Sequence, residues 1–225
     1  SGLNIVSPAN TSVTITGTSN TNGILNARIT FNGADFAAST GGLIGAASTT
    51  TANSNLSAGN TNPYLISGSF AQTASITVNA GLKFTGNDTL TIGSGILLTI
   101  NNGANTAGGI LVTGGVAAVI ADGVTAAGLT TGGSGDLVVG TSAAGDSLSI
   151  QVSITSTTTG GVTKNGAGTL TLAVANAYTG ATSVNAGTLI LGNAAAMSTS
   201  AATVQAGGVL DLNGKLVINT AALNG

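Results

Sequence analysis

Cysteine, histidine and glutamate are absent from this chain, proline occurs twice, and charged residues make up 4% of its 225 positions. Without cysteine there is neither a disulfide framework nor a thiolate metal site. Without histidine a Ser/His/Asp arrangement is impossible, and acid–base chemistry would fall to six aspartates: Asp35, Asp88, Asp122, Asp136, Asp146 and Asp211. Solvated aspartates at corners and loops, and no enzyme, are the expectation. The four basic residues, Arg28, Lys83, Lys164 and Lys215, are scattered and leave a net charge of -2, so nucleic acid is not an expected partner. Aromatics are 3% of the chain, too few for the two girdles of an outer-membrane barrel or for a core of large rings. No run is long enough to span a membrane as a helix. The most apolar stretch, GILVTGGVAAVIA at 109–121, is broken by Thr113, Gly114 and Gly115 and falls short of the ~20 residues required.

What is present is glycine (36 residues), much Ser, Thr, Asn and Ala, and a mean hydropathy of +0.48 carried by Val, Ile and Leu at period two. That hydropathy excludes a disordered chain. The unit strand, Asn-Ala-Gly corner, strand is written as TVNAG at 77–81, SVNAG at 183–187 and TVQAG at 203–207. A Gly-x-apolar-x-apolar frame recurs at Gly135, Gly168, Gly187 and Gly208, spaced by 33, 19 and 21 residues. Repeats this short bury an apolar face only by stacking. The expected fold is therefore all-β, a parallel β-helix (β-solenoid) of roughly 20 residues per coil with almost no α-helix. At ~4.8 Å per coil that makes about 11 coils spanning on the order of 50 Å. Gly81, Gly135, Gly168, Gly187 and Gly208 are expected at corners, in conformations a Cβ disfavours. Leu170 is expected over Leu189 and Leu210, and Leu172 over Leu191 and Leu212. Like charges would meet at strand spacing in such columns, which explains why charge is rare.

Residues 1–62 read differently. SVTITG and ARITFNG look like strands, and STTTANSNLSAGNTNP from Ser48 to Pro63 is a polar low-complexity stretch. The expected division is an irregular β cap or extension over 1–62 and the parallel β-helix over 63–225. A segment around Leu3, Ile5 and Val6 is the candidate for exchange with a neighbouring copy, since open solenoid ends offer unpaired backbone groups.

The segment KNGAGTLTLAVANAYTGATSVNAGTLILG, Lys164 to Gly192, resembles the autotransporter-associated β-strand repeat. The matching residues are Lys164, Gly166, Gly168, Thr169, Leu170, Leu172, Asn176, Tyr178, Gly180, Thr182, Val184, Gly187 and Leu189, and TVQAGGVLDLNG resembles a following coil. The resemblance is clearest at 164–214. It implies a right-handed β-helix exported to the bacterial surface as passenger stalk, with the export signal removed or outside this chain. The family's membrane barrel has no counterpart here.

Other signals are local. TGNDTL at 85–90 resembles one unit of a calcium-binding nonapeptide repeat, with Asp88 as the sole metal candidate. The next turn, GSGILL, supplies no carboxylate, so an Asn-Asp turn is expected. The glycines of GGILVTGG and GGSGDLVVG lack the Lys-Ser/Thr and helix of a phosphate loop, and no cofactor is expected. Asn10, Asn55 and Asn87 begin N-x-Ser/Thr sequons, and Tyr64, Phe70 and Phe84 are a mild aromatic cluster. The leading functional expectation is a non-catalytic extracellular rod that joins itself end to end into a surface filament. The alternative is an adhesin stalk that binds cell-surface glycans, and a carbohydrate-active enzyme is the remote third.

Overall fold

A computed structural model of the chain describes residues 3–7, 13–14, 29–40, 43–101, 109–123, 126–155, 159–198, 201–216 and 221–223. All regular structure among them is β, with no helix. From Thr50 onward every strand pairing is parallel, and the strands fall into faces of nine, seven and four. The chain winds round one axis as a parallel β-helix.

The nine-stranded face runs from Thr50–Ala52 through Tyr64–Ile66, Leu82–Phe84, Gly109–Val112, Leu137–Thr141, Val162–Asn165, Thr182–Val184 and Ala202–Val204 to Ala221–Leu223. At ~4.8 Å per step this face is about 40 Å long, somewhat shorter than the span expected from a uniform coil. The parallel stack takes in Thr50–Ala52, ahead of the boundary drawn at 62/63. The seven-stranded face runs from Phe70–Gln72 to Gly208–Asp211, and the four-stranded face holds Ile76–Val78, Leu97–Ile100, Gly128–Thr130 and Ser153–Thr155.

Alternation decides what goes inside. In Thr169–Leu172, Leu170 and Leu172 are fully buried and the threonines partly so. In-register parallel pairing stacks the inward residues into columns. Ala118, Leu148, Leu170, Leu189 and Leu210 form one, and Phe70, Leu90, Ile120, Ile150, Leu172 and Leu191 another. One core cluster contains nearly all of them. Leu212 is the exception: the last strand of that face stops at Asp211, and Leu212 is 43% exposed.

The coil is not uniformly 20 residues. Phe84 pairs with Val112 and Val112 with Thr141, whereas Lys164 pairs with Val184 and Val184 with Val204. The middle coils carry a strand on the third face, and SLSIQVSI is split by a corner at Gln151–Val152 between the seven- and four-stranded faces. This also corrects two equivalences drawn from spacing. The corner in TVNAG leads from the four- to the nine-stranded face, while those in SVNAG and TVQAG lead from the nine- to the seven-stranded face. The frame beginning at Gly135 opens a strand of the nine-stranded face, unlike those at Gly168, Gly187 and Gly208. The frame is a property of entering any strand from a corner and does not identify the face.

The N-terminal described strands form a separate five-stranded sheet. Leu3–Ile5 pairs parallel with Ile29–Phe31, which continues antiparallel through Asp35–Thr40 and Leu43–Ala46 to Val13–Thr14. This sheet lies on the flank of the β-helix. Phe36, Ala38 and Ala47 pack with Ala80, Leu111 and Val138 from the outer side of the nine-stranded face. Lys83 pairs with Asp35, and Ser142 Oγ donates to the Gly33 carbonyl. The segment proposed for exchange sits within this sheet, with Ile5 buried against Ala37 and Ile44, and with Leu3 and Val6 exposed. Most of SVTITG, Arg28 and the Asn10 sequon lie outside the described residues.

Candidate functional site

The sequence motif from Lys164 onward places polar side chains inside the coil. Val162 and Lys164 alternate inward on one strand, so Lys164 occupies the column between Val139 and Val184, with no exposed surface. A charge there is costly unless it is hydrogen-bonded. Its Nζ donates to three carbonyls: Asn165 at 2.8 Å and Gly166 at 2.7 Å in its own coil, and Ala186 at 3.1 Å in the next. The ammonium thus closes one corner and ties two coils. Burial lowers the Lys164 pKa from 10.5 to about 8.

Asn176 works on the third face, where the four-stranded ladder ends at Ser153–Thr155 and continues only as the bridge Thr155–Ala177. Its Oδ1 accepts the Ile154 N–H at 2.7 Å from the coil before, and its Nδ2 donates to the Ala196 carbonyl at 2.5 Å in the coil after. With the main-chain bonds from Ala177 N to the Ile154 carbonyl and from Asn176 N to the Ala195 carbonyl, this side chain stands in for the missing strand on both sides. Tyr178, fully buried, shares a 2.7 Å hydroxyl–hydroxyl bond with Thr182, which lies in the column between Val162 and Ala202.

The motif glycines have two different jobs. Gly187 has φ +66°, the left-handed region expected of a corner glycine. Gly168 and Gly208 lack positive φ. They are glycines because the neighbouring coil's backbone passes where a Cβ would stand: Asp146 and Ala143 carbonyls at Gly168, the Val184 carbonyl at Gly208. Gly81 combines φ +149° with close approach of the Gly109 carbonyl and the Phe36 ring. Gly135 has no positive φ. Close packing, more than conformation, explains most of these corners.

Aspartates also serve as staples, against the expectation of solvated loops. Asp146 is fully buried; its Oδ1 accepts the N–H groups of Gly115 and Val116, at 2.6 and 3.2 Å in the preceding coil, and its Oδ2 that of Ala143 at 2.7 Å. Asp136 reaches the other way, to Gly161 N and Thr163 Oγ1. Spacing gave no hint of this; the nearest signal was the rarity of charge, which makes each remaining Asp and Lys a candidate for a specific bond. Asp88 is partly buried, and no group of three or more potential metal ligands exists among the described residues. Asn55 and Asn87 are occupied as coil-to-coil links, to Thr73 and to Ala117 N. Tyr64 and Phe84 are core residues, and Phe70 is packed against the core, so they form no surface groove.

Residues 162–191 match the family model of the passenger-associated transport repeat. The chain carries an autotransporter passenger repeat. That span begins at the strand bearing Lys164 and ends with the strand bearing Leu189 and Leu191. The passenger repeat is thus one coil and part of the next, together with the side chains that lock it to both neighbours. At a coarse level it implies an extracellular or cell-surface location. No curated protein and no solved structure was found to match the chain.

Proposed function

We propose that this chain is a non-catalytic passenger-type rod whose copies join end to end into a surface filament. What supports it most is how the chemistry-bearing side chains of the repeat are used. Lys164, Asn176, Tyr178 and Thr182, with Asp146 in the coil before, are buried and bonded to their own or neighbouring coils. A passenger built this way holds shape and carries load. Near the C-terminal side, Leu212 and Leu216 (81% exposed) stand open beyond the last strand of the seven-stranded face. A coil supplied by a second copy would bury them. Sedimentation velocity and negative-stain images of the purified chain test this. Rods lengthening in whole-molecule steps with concentration are expected, with Leu216→Asp keeping them single. Single rods at every concentration would refute the filament.

The second reading is an adhesive stalk, favoured by a cleft between the N-terminal sheet and the flank of the rod. Retention of purified rods on immobilised cell-surface glycans tests it; no retention at millimolar ligand density would count against adhesion.

A further inference from the structure

A cleft between the N-terminal sheet and the rod has no assigned role. It encloses about 300 Å³ where the edge strand Leu3–Ile5 overhangs the nine-stranded face. That is the small end of the ligand-pocket range. Leu111 forms part of an apolar floor, Leu3 stands at the rim with 55% exposure, and Gly140 leaves the floor open. Three amides and two hydroxyls line the walls: Asn4, Asn165, Asn185, Thr30 and Ser142. No charged residue among the described residues lines it, and nearby Lys83 and Asp35 are paired with each other.

The amides are only half used. Asn4 Oδ1 accepts from Gly33 N at 2.7 Å and from Thr30 Oγ1 at 3.2 Å, which fixes the side chain and leaves its Nδ2 without a partner among the described residues. Asn185 Nδ2 donates to Asn165 Oδ1 at 2.8 Å. This leaves Asn165 Nδ2 as a donor and Asn185 Oδ1 as an acceptor, again without partners among the described residues. Parallel pairing sets their backbones about 4.8 Å apart, which lets the two amides meet side by side. None of these atoms is sealed from solvent. The site therefore offers two oriented N–H donors and one carbonyl acceptor above an apolar floor.

We propose that this cleft binds a neutral, hydroxyl-rich ligand: the terminal one or two rings of an uncharged glycan. Hydroxyl groups both donate and accept, so they satisfy donors and acceptor together, while a sugar's C–H face suits Leu111 and Leu3. An ionic ligand would find no counter-charge among the described lining residues and would have to shed its hydration unrewarded. The proposal rests on the adhesive reading and is indifferent to whether rods join end to end.

Saturation-transfer NMR on the full chain, with maltose, cellobiose, lactose and diacetylchitobiose as probes, tests it. Transfer to at least one of them is expected. Asn165→Ala with Asn185→Ala should weaken that binding at least tenfold. Leu3→Arg, an exposed rim position that leaves the amides in place, should abolish it without shifting the melting temperature. No transfer to any of the four sugars overturns the proposal. So does transfer that survives both variants, or transfer only to an uncharged extended peptide such as acetyl-(Thr-Gly)3-amide. Retention on glycan surfaces that persists in both variants would leave adhesion standing and remove the cleft from it.

Discussion

Between Tyr64 and Thr155 the coils are closed by three backbone ladders, whereas from Val162 to Asp211 two ladders suffice. Length alone does not set the difference: Leu82 pairs with Tyr64 across a short coil that holds three strands, whereas Lys164 pairs with Val184 across a coil that holds two. The two-ladder coils, which carry the passenger repeat, have in place of that strand the Asn176 amide, main-chain bonds from Asn176 N and Ala177 N, and the turn at Asn193–Ser198 that places Ala196 beneath it. The interior differs in the same way. Thr141, in the column of Phe84 and Val112, buries a hydroxyl that finds no partner among the described residues. In the repeat, buried Lys164, Tyr178 and Thr182 are all hydrogen-bonded. A β-helix coil can thus give up a strand when side chains take over part of its ladder, and those side chains must then be buried and paired.

The largest effect should come from the tight approach of coils. Gly168→Ala drives a Cβ into two carbonyls of the preceding coil and is expected to cost at least about 4 kcal/mol, or to prevent folding. Gly133→Ala, in open space within the longer coils, should stay within about 0.5 kcal/mol. Chemical denaturation of both measures the contrast. Next come the columns: Leu170→Ala should cost about 2–5 kcal/mol, and Leu212→Ala, beyond the last ladder, well under 1 kcal/mol.

The buried lysine makes a pH signature that only the repeat should show. Its folded pKa of about 8 lies below the value of 10.5 it has unburied. Between those values the unfolded chain holds more protons than the folded one, so stability rises with pH across that window, by on the order of 3 kcal/mol in total. Lys164→Met should remove that rise in denaturation curves taken from pH 7.5 to 10.5. The smallest pair has opposite signs. Asn176→Ala strands the Ile154 N–H and should cost about 1–3 kcal/mol, whereas Thr141→Val removes an unpaired hydroxyl and should stabilise by about 1 kcal/mol.

Much of the coil was legible in the sequence because period-two alternation and in-register stacking are local rules. Leu170, Leu189 and Leu210 align in space as their spacing requires. The third face was not legible, because its corner at Gln151–Val152 contains no glycine and reads as an uninterrupted strand. Lys164 was visible as a motif residue but not as an interior one, since alternation marks it inward only once its strand is set beside Val139 and Val184. The cleft was invisible. It depends on Asn4 and Thr30 being brought to Asn165 and Asn185 by a sheet that docks through Phe36, a contact that leaves no periodic trace.

The central claim, a single winding whose coils lengthen in the middle, is tested most directly by register in a long coil. Val119 and Ser149 are outward neighbours on adjacent strands, thirty residues apart in sequence. Since the chain has no native cysteine, Val119→Cys with Ser149→Cys should form a disulfide quantitatively under mild oxidation. Val119→Cys with Ser147→Cys, two residues out of register and about 8 Å apart at Cα, should remain reduced. Crosslinking of the second pair in preference to the first, or of neither, would contradict the account.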